Sequence, residues 1–211
     1  MKKKISFIMI ISMCCSILAG GCGKKMTTED APVYIQAVLD SRYKSDYNAY
    51  MEYMKCTEEE AAQIHERGLN SVLSLIKIAD TSVSAELKDQ YRQLFASLHH
   101  ICKYTVGAAE EDGDGFTVDV TVQPFSMFDG IDESLIDVLH TEDALAMTTD
   151  EQVNQLIYEE MYNLLSPRLS FPEYGTPETV ILHIQPDENK VQTVREEDLS
   201  ALDAAIYASL L

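Results

Sequence analysis

The chain predicts an α+β domain: N-terminal helices and further helices on one face of a four-stranded antiparallel sheet made of two hairpins, with a C-terminal helix closing the chain. Three observations carry this. Apolar residues recur at helical spacing, most clearly at Leu87, Tyr91, Leu94, Phe95, Leu98, Ile101 and Cys102. The period then falls to two, with Phe116, Val118, Val120 and Val122 alternating with Thr117, Asp119, Thr121 and Gln123. A second strand pair follows a long helical interval, and an isolated hairpin is marginal in water, so the two hairpins join in one sheet.

The elements follow in order. Thr27 with Asp30 is a helix-start signal and Pro32 suits a first turn, after which Val33, Tyr34, Ala37, Val38 and Ser41 form a stripe. Lys44-Ser45-Asp46 breaks it, and Tyr47, Tyr50, Met51 and Met54 resume. Thr57 to Glu60 is a capping box opening a helix that buries Ala61, Ile64, Leu69, Val72, Leu73 and Ile76. The Leu87 helix comes next. Tyr104 and Val106 start a strand that turns at the Asp-Gly pairs of 110–115 into the Phe116 strand, which Pro124 ends. Helical pattern returns from Ile131 to about Ala146. Thr148 with Glu151 caps another helix, stopped near Ser166-Pro167. Thr179 to Gln185 is a strand, 186–189 a turn, and Lys190 to Val194 its partner. Leu199, Leu202, Ala205, Ile206 and Leu210 make the last helix.

Ahead of the domain, Lys2, Lys3 and Lys4 precede an apolar run from Ile5 to Leu18. The run is short of the roughly 20 residues of a spanning helix. Small residues then lead to a cysteine in Leu18-Ala19-Gly20-Gly21-Cys22. This resembles a bacterial lipoprotein signal, with Ala19 where the strongest lipoboxes carry Leu. The alternative is an ordinary cleaved signal with a coincidental cysteine. The division expected is 1–21 signal peptide, 22–29 lipidated tether and 30–211 a single domain. The resemblance implies a diacylglyceryl group on Cys22, with palmitate-like chains each gaining about 0.8 kcal/mol per buried CH₂. It implies a protein of the cell membrane, lipid-anchored and facing outside the cytoplasm.

Lys plus Arg number 16 against 35 Asp plus Glu, a net charge of −19. Removing the signal takes away three lysines and no acid, leaving −22. Such a charge repels nucleic acid, so none is expected as a partner. After processing the cysteines are Cys22, Cys56 and Cys102. Export permits a disulfide between Cys56 and Cys102; the other reading is two thiols behaving as small apolar groups.

Ala37-Val38-Leu39-Asp40-Ser41-Arg42-Tyr43, Lys103-Tyr104-Thr105-Val106-Gly107-Ala108-Ala109, the Phe116–Val122 strand and Val191-Gln192-Thr193-Val194 are the segments on which the chain resembles families of uncharacterised Gram-positive lipoproteins. The arrangement is also similar to cystatin-like and nuclear-transport-factor-like folds. Such families bring no assigned catalytic residues.

Chemistry-bearing residues are sparse. Glu110-x-Asp112-x-Asp114-Gly115 looks like a calcium loop but has Thr121 where the closing Glu belongs. His99 and Cys102 share a helix face without a third group to orient them. His65, His140 and His183 are scattered, no zinc motif is present, and no metal or cofactor is expected. Tyr43, Tyr47 and Tyr50 crowd the first helical region and form the candidate aromatic contact surface. The reading is a non-catalytic binding or interaction module whose partners are the membrane, through its lipid, and an envelope protein or ligand. The alternatives are an envelope hydrolase with a carboxylate-lined pocket or an accessory lipoprotein of a transporter.

Overall fold

The computed structural model describes residues 26–141, 146–188 and 190–210. The signal stretch and Cys22 lie outside them. In chain order come α1 (Asp30–Leu39), a π-helical turn (Asp40–Lys44), α2 (Asn48–Met54), α3 (Glu58–Leu75), α4 (Ala85–Ile101), β1 (Lys103–Asp112), β2 (Gly115–Gln123), α5 (Ile131–Leu139) and α6 (Asp150–Leu165). A 3-10 turn (Ser166–Ser170), β3 (Glu178–Pro186), β4 (Gln192–Val194) and α7 (Glu196–Ile206) follow.

The four strands form one antiparallel sheet in the order β1-β2-β3-β4. The two hairpins join because β2 pairs with β3, from Phe116 opposite Ile184 to Val122 opposite Glu178. Alternation decides which face is covered: Phe116, Val118, Val120 and Val122 of β2 and Leu182 and Ile184 of β3 are buried. Thr121 and Thr179 on the other face exchange a hydroxyl hydrogen bond at 3.2 Å in the open. β1 carries an irregularity between Val106 and Ala109 and is otherwise in register with β2.

Two layers of helix stack on the covered face. α1 lies on β1 and β2, and α7 on β2 and β3. α3 and α4 pack on the π-helical turn, and α3 also reaches α7. α1 is therefore enclosed on most sides, which is why Ala31, Tyr34, Ile35, Ala37, Val38 and Leu39 are all buried. Val33, expected in the buried stripe, faces the one open side and is 63% exposed. Met26, expected in the tether, packs into the core.

The helix starts are chemically specified. Thr57 and Glu60 make the expected reciprocal cap of α3. The cap of α6 falls one residue later than expected, at Thr149, which accepts from the Gln152 N–H at 3.3 Å. Thr149 carries the same pattern as Thr148, with Gln152 three residues on in place of Glu151. α5 stops at Leu139 instead of running towards Ala146, because Thr141 N–H and hydroxyl both turn back to the Val138 carbonyl.

The seam between the hairpins leaves no room at Gly115, where a Cβ would sit 2.0 Å from the Ile184 carbonyl oxygen. Backbone cannot yield as a side-chain tip can. Gly115→Ala is expected to destabilise by about 3 kcal/mol, read as a lower urea midpoint with unchanged slope.

Candidate functional site

The π-helical turn holds the most buried polar chemistry of the molecule. Turns of this kind recur at functional sites. The turn ends at Ser45, in the left-handed region at φ 53°. Within it Arg42 and Tyr43 are both fully buried and both reach Asp203 on α7. Arg42 Nε donates to Asp203 Oδ1 at 3.3 Å and Nη2 donates to Oδ2 at 2.5 Å, a side-on fork. The Tyr43 hydroxyl donates to Oδ1 at 2.7 Å. Burial opposes the Arg42 charge, but Asp203 and Tyr43 outweigh it and hold the guanidinium above its ordinary pKa. Burial, then Asp203, pushes the Tyr43 phenol well up, so it stays a donor. The Asp203 carboxylate is thus committed on both oxygens, and the cluster clamps α7 to the end of α1.

His99 of α4 lies against this cluster, fully buried, with its ring 5.1 Å from Tyr43, 5.7 Å from His65 and 6.2 Å from Tyr207. Neither ring nitrogen has a well-formed hydrogen bond. His65 Nδ1 instead takes the Arg42 carbonyl, at 2.8 Å. Desolvation, followed by His65, Arg42 and His100, lowers the His99 pKa well below the usual histidine range; a weak pull from the Arg42 carbonyl only partly opposes this. His99 is a neutral core residue. Gly68 of α3 allows the approach: a Cβ there would meet Arg42 Cγ at 2.9 Å and His99 Cε1 at 3.4 Å.

Cys102 is a free, buried thiol, so the disulfide that export permits with Cys56 is not formed. Cys102 lies in the single-residue link between α4 and β1, on the side of Lys44. Burial pushes its pKa up to about 12, and Lys44 offsets this only in part. His99 and Cys102 meet through the backbone, Cys102 N–H to His99 carbonyl at 3.2 Å, and no side-chain hydrogen bond joins them among the described residues. Lys44 Nζ donates to the carbonyls of His100 at 2.8 Å and Cys102 at 2.7 Å. The Tyr174 hydroxyl donates to that of Ile101 at 2.6 Å. Together they satisfy the end of α4, where carbonyls lack helical partners.

The expected tyrosine surface does not assemble. Tyr43 is fully buried on Asp203, Tyr47 is half-buried ahead of α2, and Tyr50 stacks on Tyr34 at 6.5 Å against the edge of the core. The break expected at 44–46 is present, with Ser45 in the left-handed region, and it separates Tyr43 from the helix that carries Tyr50. The acidic stretch 110–115 is the β1–β2 hairpin tip, and no group of three or more metal-ligating side chains converges among the described residues. His183, scattered in sequence, bonds Asp198 Oδ2 at 2.9 Å through Nδ1 and at 2.8 Å through its backbone N–H, pinning α7 to β3.

Exposed apolar surface lies elsewhere. Phe171, just after the 3-10 turn, is 82% exposed. It borders an open groove of about 500 Å³ with Met127, Asp129, Pro167, Arg168 and Glu173. Arg168 Nη1 donates to the carbonyls of Met127 and, at 3.2 Å, Asp129, fixing one wall. Nothing in the sequence marked this residue beyond its place in a proline-bounded loop.

No protein-family model matches this chain, and neither does any curated protein sequence. Its fold is similar to a crystal structure from Bacillus subtilis described as "a putative lipoprotein (ycdA)", with a TM-score of 0.51 and 14% identity. The match covers 82% of this chain and 55% of the other, so this chain spans about half the length of that protein. At this identity the likeness is one of fold. No described helix is long and apolar enough to cross a membrane.

Two outcomes follow from the buried cluster. Arg42→Met and Asp203→Leu should each cost about 3–5 kcal/mol by stranding one charge, while the double variant should recover most of the loss in urea unfolding. The depressed His99 pKa means that below the unfolded value of 6.5 the unfolded chain takes up a proton the folded chain refuses. Stability should therefore fall with decreasing pH from about 6.5 downwards, by up to about 1.4 kcal/mol per unit from this group. His99→Phe should flatten that dependence in melts between pH 7 and 5.

Proposed function

We propose that this chain is a lipid-anchored extracytoplasmic protein, held by Cys22, that binds an envelope partner at the groove bordered by Phe171 and does no chemistry of its own. The observation that carries this reading is Phe171 itself: a large aromatic side chain left in solvent on a fixed rim. Aromatic anchors beside a groove supply a disproportionate share of binding energy. Arg168, locked onto main-chain carbonyls, gives the rim its rigidity.

The groups that nucleophilic or acid–base catalysis would use are held in the wrong states. The Cys102 thiol is pushed towards protonation, His99 is kept neutral in the core, and Asp203 is saturated by Arg42 and Tyr43. The N-terminal lysines, short apolar run and small residues before Cys22 support the anchor, and the B. subtilis structure of similar fold is described as "a putative lipoprotein". Cys22 lies outside the described residues.

The test is site-specific photo-cross-linking in intact cells, with the reactive side chain at position 171 or, as control, at Val33, which is also exposed. One dominant adduct from 171 and none from 33 is the expected result. Identical adduct patterns from both, or none from either, would remove the basis for the groove. Membrane fractionation of Cys22→Ser should show release of the protein from the membrane, and retention would count against the anchor.

A further inference from the structure

A second, smaller site lies where α7 begins. A cavity of about 60 Å³ is lined by Tyr34, Val38, Tyr50, Ile64, Val194 and Leu199, with Arg42 at one end, Arg67 at its rim and Glu196 beside it. Arg42 spends Nε and Nη2 on Asp203, and Nη1 has no hydrogen-bond partner although the side chain is fully buried. A buried, charged donor left unmade costs free energy, and such groups in folded proteins call for a water or an ion. The nearest acid is Glu196, whose Oε1 is 3.8 Å from Nη1, beyond hydrogen-bonding distance, on a side chain 58% exposed. The cavity also meets the N-terminus of α7, an eleven-residue helix whose capping residue, Arg195, supplies no side-chain acceptor. Main-chain N–H groups and the helix dipole there favour negative charge, which Glu196, Glu197 and Asp198 of the first turn supply in the free protein.

We propose that this cavity binds a small organic carboxylate, which takes the Arg42 Nη1 hydrogen bonds that Glu196 approaches without making. Size and chemistry choose the class. One water needs about 10–15 Å³ on this measure, so the space holds a few heavy atoms and no sugar or nucleotide. A planar carboxylate matches the open end of a guanidinium, and the apolar walls suit a short aliphatic tail. Glu196 acts as an internal stand-in that swings into solvent when ligand enters, and Arg67 draws the anion to the rim. The site is separate from the Phe171 groove, so the two readings fail independently.

The test is calorimetric titration of the full-length protein with sodium acetate and sodium propionate, against sodium chloride at matched ionic strength. Saturable, one-to-one binding of the carboxylates but not chloride is expected. Glu196→Gln, a surface change that leaves the core cluster intact, should tighten it by about tenfold or more through loss of the competing charge. Arg67→Ala should weaken it severalfold. Arg42 itself is unsuitable, because its loss unfolds the cluster. Absence of saturable carboxylate binding in both the natural protein and Glu196→Gln would overturn the proposal. So would binding of sulfate in preference to acetate, or an unchanged affinity in both variants.

Discussion

The pairing of Arg42 with Asp203 is the constraint from which the remaining architecture takes its arrangement. The two residues are 161 positions apart and fully enclosed. α1 and α7 lie on the same sheet, one over β1 and β2 and the other over β2 and β3, and the second helical layer closes above them. A hydrophobic core would tolerate several ways of laying two short helices on a curved sheet. A guanidinium fork gripping one carboxylate tolerates few, because any slippage leaves charge without a counterpart. The cluster therefore contributes arrangement more than net stability. Gly68, His99 and Tyr43 are shaped around it: a missing side chain for approach, a neutral ring for filling, a hydroxyl for the remaining lone pair.

The same enclosure sets the protonation of the reactive side chains it covers, Cys102 and His99. Burial pushes a thiol towards its protonated form and an imidazole towards its neutral form. Several other polar side chains serve internal order: Lys44 closes a helix, Tyr104 bonds Asp40 at 2.6 Å, and His183 ties a helix to a strand. The Phe171 ring stays in solvent, and Arg42 Nη1 is left without a hydrogen-bond partner inside the fold.

The strands and most of the helices were legible because burial follows a simple period. Val118, Val120 and Val122 alternate with polar residues, and Leu94, Phe95 and Leu98 follow a helical face; both patterns are one-dimensional. The buried cluster was not legible for the opposite reason. Nothing in the sequence around Arg42 or Asp203 marks either as buried, and only the fold of the whole chain brings them together. Tyr43, Tyr47 and Tyr50 misled because closeness in sequence does not set which way each ring faces, and the π-helical turn carries Tyr43 into the core. Thr148 misled by a single position because its neighbour Thr149 offered an equivalent cap. Phe171 carried no pattern, since an exposed ring in an irregular loop has no periodicity to violate.

One detail of the sheet bears on how the protein coexists with copies of itself. β1 is a ten-residue outer strand, and a long open edge invites a neighbouring chain to zip onto it. The irregularity between Val106 and Ala109 throws the donors and acceptors of that edge out of step partway along. Beyond it run Glu110, Glu111 and Asp112, whose charges would face their own kind in a parallel, in-register pair. The break in the ladder thus makes the outer strand a poorer template for a neighbouring chain than ten regular residues would be.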